Sequence, residues 1–115
     1  SVSAVAGEGR ALMVRSTRDP EFVGSFVTRL REWVSDIGTV LDRSDMLTSG
    51  VLGPSKLNTH HPAVDERLGD AIIFAEGAHQ FTDSRFISPQ SLAQRGVHGS
   101  ATEREMAIPL WETAI

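Results

Sequence analysis

The sequence predicts an α+β fold with an α/β-like element: a small sheet of about four strands, one main amphipathic helix, a βαβ unit and a hairpin. Three observations carry that prediction. Phe22, Phe26, Leu30, Trp33 and Ile37 recur at three- and four-residue spacing, and Val23, Val27 and Val34 widen the stripe into one face of a helix. Short apolar runs of strand length flank this stretch, Ala11 to Arg15 before it and Thr39 to Leu41 after it. Finally, Asp70 to Ala75 and Ala78 to Thr82 lie on either side of Glu76-Gly77, the pattern of two arms around a tight turn.

Taken in order, Ser1 to Arg10 is small and Gly-rich, and is expected to be mobile or to form an edge segment. Ala11 to Arg15 reads as the first strand. Asp19 suits an N-cap, Pro20 the first helical position, and Glu21 complements the helix dipole. Gly38 is expected to end the main helix as the residue beyond the C-cap. Thr39 to Leu41 follows as the next strand, so strand, helix and strand make the βαβ unit. Ser44 is read as the cap of a short helix, Asp45 to Ser49, stopped by Gly50. Val51 to His61 contains Gly53, Pro54, Asn58 and two histidines and reads as a loop. Pro62 to Leu68 suits one helical turn closed by Gly69. Asp83 to Arg95 is a polar connection containing Pro89.

Composition narrows the function classes. A chain of 115 residues fits one small core. A net charge of -4 gives no electrostatic reason to expect nucleic acid or an anionic membrane as partner. There is no cysteine, which removes disulfides and thiolate metal sites. No apolar run approaches the roughly 20 residues that span a bilayer. The N-terminus lacks a basic region followed by an apolar one, so no signal peptide is expected, and a cytoplasmic location is favoured over export.

The richest stretch is Arg95-Gly96-Val97-His98-Gly99-Ser100, continuing Ala101-Thr102-Glu103-Arg104-Glu105-Met106-Ala107-Ile108-Pro109-Leu110. It sets a histidine between two glycines, which permit unusual backbone angles and close approach of a ligand. Ser100 with Glu103 reads as a capping box, so a helical turn should begin just after the histidine. Pro109 keeps Ile108-Pro109-Leu110-Trp111 out of a helix interior and suits an edge or the start of a strand. Histidine on a short loop between two elements is a common way to present a metal ligand or a base.

These residues resemble the C-terminal signature of the type I phosphodiesterase/nucleotide pyrophosphatase family, within the alkaline phosphatase-like superfamily. The shared pieces are Gly96-Val97-His98-Gly99-Ser100, Glu105-Met106 and Ile108-Pro109-Leu110, in order and at matching spacing. Arg67-Leu68-Gly69-Asp70-Ala71-Ile72-Ile73-Phe74-Ala75-Glu76-Gly77 is similar to the strand before that signature in bacterial members. The resemblance covers most of the chain, better after Arg67 than before it. It implies a hydrolase of phosphodiester or nucleotide-type small molecules that uses two divalent ions, usually zinc, and a Thr or Ser nucleophile. His98 is the one metal ligand that carries over. The family's other Asp and His ligands, including an Asp-His-Gly segment, have no counterpart here. The chain therefore looks like the C-terminal portion of a larger enzyme. Residues 1–94 would be a small α+β subdomain beside the active site, shaping leaving-group access. Residues 95–115 would be the last ligand loop and strand of the catalytic domain. Such a portion is expected to be inactive alone and to hold no ion tightly, since a stable zinc site has three or four protein ligands.

Other readings of the same residues stand beside this one. Without the resemblance His98 is a loop histidine bonded to backbone. His60-His61 reads as a solvated loop before Pro62, since adjacent residues rarely converge on one ion, and His79 as a surface position. Asp70 suits a turn or cap, and Glu103 a cap in preference to a general base. Glu105, like Glu103, follows the histidine closely. Trp33 and Phe26 read as core. Ser100, Thr102 and Thr48 have no partner base in the sequence, so no nucleophile is assigned. Trp111 suits an exposed or interface position, and with Ile108 and Leu110 it needs an apolar surface. The tail is thus expected to be mobile, or packed on the small domain or a second copy, making a homo-oligomer. Two alternatives remain: a free-standing α+β interaction or ligand-binding module, and a small metalloenzyme using His60, His61, His79 and His98.

Overall fold

The computed structural model describes residues 2–17, 19–53, 61–85 and 87–114. The helical stripe forms α1, Val23–Val34, flanked by single 3-10 turns at Pro20–Phe22 and Ser35–Ile37. The strands are β1 (Val2–Glu8), β2 (Ala11–Ser16), β3 (Gly38–Asp42) and β4 (Ala71–Ala75). They form one open antiparallel sheet in the order β1-β2-β4-β3. Because β2 and β3 are each antiparallel to β4, they are parallel to each other. The βαβ unit is therefore β2-α1-β3, with β4 inserted between its strands. Short helices complete the fold: α2 (Arg43–Thr48), α3 (Ala63–Arg67), α4 (Pro89–Leu92) and α5 (Glu103–Met106).

Strand alternation gives the sheet two unlike faces. Leu12, Val14, Val40, Ala71, Ile73 and Ala75 point one way and pack against Phe26, Val27, Leu30 and Val34 of α1, with Phe81 closing the cluster. Each Val, Leu, Ile or Phe side chain in this cluster gains roughly 1.5–3 kcal/mol from burial, and this layer is the core. Ala11, Met13, Leu41, Ile72 and Phe74 point the other way and are only half-buried.

Several sequence expectations change. The Gly-rich N-terminus is edge strand β1, one of the two states expected of it, but the hairpin is β1-β2 around Gly9-Arg10. Ala78–Thr82 is not a strand, so the hairpin expected at Glu76-Gly77 does not form. The Phe81 N–H instead donates to the Gly9 carbonyl at 2.6 Å, freeing the Phe81 ring to enter the core. Trp33 is 65% exposed, against the expectation of core. At about 100° per residue it falls at the rim of a stripe centred on Val23, Leu30 and Val34, and it leans on Phe81 at 5.6 Å between ring centroids. Gly38 does not cap the helix; it is extended, and the chain turns at Ser35, whose φ is 38°. A Cβ at Gly38 would lie 3.0 Å from both the Phe74 carbonyl oxygen and the Phe81 ring, so close packing explains the glycine. Helix α2 is capped by Asp42 with Asp45 rather than by Ser44. Residues 107–114 carry no strand: Ile108, Leu110 and Trp111 are 84, 84 and 90% exposed.

Candidate functional site

The β1-β2 turn, the end of β4, the 76–82 segment and the 99–105 segment converge at one end of the sheet. Arg10, in the turn, is 6% exposed. Its Nε donates to Glu105 Oε1 at 2.5 Å and its Nη2 to Glu105 Oε2 at 2.9 Å, a bidentate pair. Its remaining donors reach the His79 carbonyl at 2.5 Å and the Ala75 carbonyl at 3.3 Å. Glu105 also accepts from Thr102 Oγ1 at 2.6 Å and from the Ser100 N–H at 3.3 Å. Ser100 is buried, and its hydroxyl donates to the Ala75 carbonyl at 2.6 Å. Ser100, Thr102 and Glu105 are thus tied to Arg10 and the end of β4 by a cluster in which each of their side chains is hydrogen-bonded.

The electrostatics follow from that geometry. Hydrogen bonds from Arg10, then Thr102, hold the Glu105 carboxyl down at about 2, outweighing desolvation. The same carboxylate raises the Arg10 guanidinium above its ordinary value. The pair stays charged throughout the neutral range.

His98 lies two residues before this anchor, exposed, with no hydrogen-bond partner for its ring among the described residues. Gly99, at φ +110°, makes the sharp turn between them, a conformation that L side chains rarely adopt. The sequence expected Ser100 to cap the following helix, but Ser100 is spent on Ala75. Thr102 occupies the N-cap position of α5, and its hydroxyl bonds Glu105. Glu103 is exposed at the start of α5 and is not half of a capping box with Ser100.

The other histidines do not join His98. His61 is exposed and its Nδ1 accepts from the Ala63 N–H at 3.1 Å, at the start of α3. His79 is exposed, with Nδ1 at 3.0 Å from the Glu76 carbonyl. His60 lies outside the described residues. Among the described residues no three His, Asp or Glu side chains gather as a metal-binding group. Asp70, expected as a turn or cap residue, instead accepts from the Ser16 N–H at the end of β2 at 2.7 Å, a long-range contact. Thr48 bonds the Ser44 carbonyl within α2, and Phe26 is core. No described helix is long and apolar enough to cross a membrane.

Arg10 is what the sequence reading missed. Its partner is 95 residues away, so no local spacing reveals the pair. The usable signal was an arginine in a two-residue turn between runs of small and apolar residues. Comparison with protein-family models, curated proteins and solved structures finds no match to this chain.

Proposed function

We propose that this chain is the C-terminal portion of a metal-dependent phosphodiesterase or nucleotide pyrophosphatase, in which His98 supplies one ligand to a divalent ion. Residues 1–94 would form a subdomain beside the active site, and residues 95–115 would belong to the catalytic domain. The observation that carries the reading is how His98 is held. Its ring is free and exposed, while the backbone just after it is pinned by Ser100, Glu105 and Arg10. Metal ligands work best when their position is fixed by neighbours rather than by the ion. Two pieces of the signature thus have mechanical roles here. Gly99 and Ser100 turn and anchor the histidine loop, and Glu105 locks the anchor. The exposed Ile108, Leu110 and Trp111 suit a segment that joins a sheet outside this chain.

The donors present do not make an ion site by themselves, because zinc takes three or four protein ligands and the described residues offer no such group. The remaining ligands and the nucleophile must come from elsewhere in the enzyme. This chain positions one ligand and carries no chemical step alone. The expected outcome is no turnover of a chromogenic phosphodiester by the 115-residue chain with added zinc. In the longer enzyme, His98→Ala should lower metal occupancy and hydrolysis together. Turnover by the chain alone that His98→Ala abolishes overturns the reading, as does unchanged activity of the longer variant.

One feature favours a second reading, a free-standing interaction module. The half-buried sheet face with Met13, Ile72 and Phe74, together with the exposed tail, gives this chain two apolar surfaces. Sedimentation across a hundredfold range of concentration separates the two: a stable homo-oligomer dispersed by Trp111→Ser favours the module.

A further inference from the structure

Beside the His98 loop lies a crevice of about 290 Å³, whose lining includes Arg95, Gly96 and Val97 together with Arg104 of α5. The Arg10–Glu105 pair also lines it. We infer that this crevice binds a phosphate group, held between the Arg95 and Arg104 guanidiniums. As a subsite for a phosphate remote from the bond being cleaved, it rests on the proposed reading; as an anion site it does not.

The charge count supports the assignment. The carboxylate lining the crevice is that of Glu105, and Arg10 neutralises it through two hydrogen bonds. Arg95 and Arg104 are exposed and have no acidic partner among the described residues. The crevice therefore carries two uncompensated positive charges on a chain whose net charge is -4. The Gly96 and Val97 N–H groups add donors there, with no acceptor among the described residues. Guanidinium forks and free backbone N–H groups are the donors that a tetrahedral oxyanion takes. The anchor holding α5 against the turn keeps Arg104 at the crevice. Phosphate is favoured over a simple carboxylate, because two guanidinium forks and two backbone N–H groups offer more donors than one carboxylate can accept.

The test is a titration of the isotopically labelled chain with inorganic phosphate, followed by amide NMR at constant ionic strength. Saturable shifts are expected at Gly96, Val97 and Arg104. Arg95→Ala and Arg104→Ala should each weaken binding by about tenfold or more, the cost of one charge-assisted contact. Both side chains are exposed, and an unchanged β4 spectrum will show that the variants fold. His98→Ala should bind phosphate as the parent chain does, so failure of the metal-ligand reading and failure of this site are distinguishable. Shifts of equal size around Arg29, Arg31 and Arg67, unchanged affinity in the double variant, or equal affinity for acetate overturns the proposal.

Discussion

Glu105 shows how much one side chain can organise when its partners are fixed. Four donor contacts converge on it, two from Arg10 and one each from Thr102 and Ser100. Its carboxyl is held at about 2, below the roughly 4.3 of an unfolded chain. The folded state therefore favours the charged form. The stabilisation is complete above about pH 4.3 and is lost as pH falls toward 2. Asp83, held at about 2 by Arg85, titrates in the same window, so acid sensitivity of the whole chain does not isolate Glu105. The difference between parent and Glu105→Gln does. Thermal unfolding followed from pH 6 to pH 2 should show the parent losing its advantage over Glu105→Gln below about pH 4, while Asp83→Asn keeps that loss. A parent-minus-Gln difference that is flat with pH would mean that folding does not favour the charged form of Glu105, against the role given to the Arg10 pair. The sequence could not show this, because spacing arguments reach a few residues along a helix or strand and Arg10 meets Glu105 from the other end of the chain.

At the scale of elements, helix α1 is where sequence and structure agree most closely, and Trp33 is where they part. Periodicity finds a stripe but weights its members equally. Packing weights them by their angle to the sheet, so Leu30 and Val34 sit at the centre and Trp33 at the rim. Leu30, 8% exposed, should cost about 2–5 kcal/mol on truncation to Ala. Trp33, although larger, loses chiefly its ring contact with Phe81, worth about 0.5–1.5 kcal/mol beyond buried area. Chemical denaturation should therefore rank Leu30→Ala well below Trp33→Ala; the reverse order would show the helix rotated about its axis. The hairpin error has a similar origin. Glu76-Gly77 supports a turn, but whether the next segment pairs with β4 depends on which strands occupy its edges. Here β2 and β3 occupy both, so Ala78–Thr82 cannot extend the ladder beside β4. Strand existence was legible for β2, β3 and β4 from apolar runs. β1, made largely of small residues, is recruited by its neighbour rather than by its own pattern.

For the molecule as a whole, the sheet has one face sealed by α1 and one left half-open, and a tail whose apolar residues have no seat. The division expected in the sequence, a small domain to residue 94 and a catalytic segment from 95, meets a finer pattern in the contacts. Residues 99 to 105 are bound to the sheet through Ser100 and Glu105, whereas Ile108 to Trp111 extend into solvent. Hydrogen exchange on the isolated chain should therefore resolve three classes rather than two. Amides of Phe26 to Val34 and of Ala71 to Ala75 open only with global unfolding and should be best protected. The Ala107 N–H, bonded to the Glu103 carbonyl at the end of α5, should be intermediate and should lose protection in Arg10→Met, because α5 is held by the Arg10 pair. Amides of Ile108 to Trp111 should exchange at the rate of an unstructured peptide at low protein concentration. If their protection rises with concentration, the tail is seating on a second copy, the outcome that favours the interaction module. If it stays absent at every concentration, the surface that Trp111 needs lies outside this chain, as the catalytic-domain reading requires. Strong, concentration-independent protection from Gly96 through Trp111 would make the tail an integral part of this small fold and remove the structural reason for assigning it to a larger catalytic sheet.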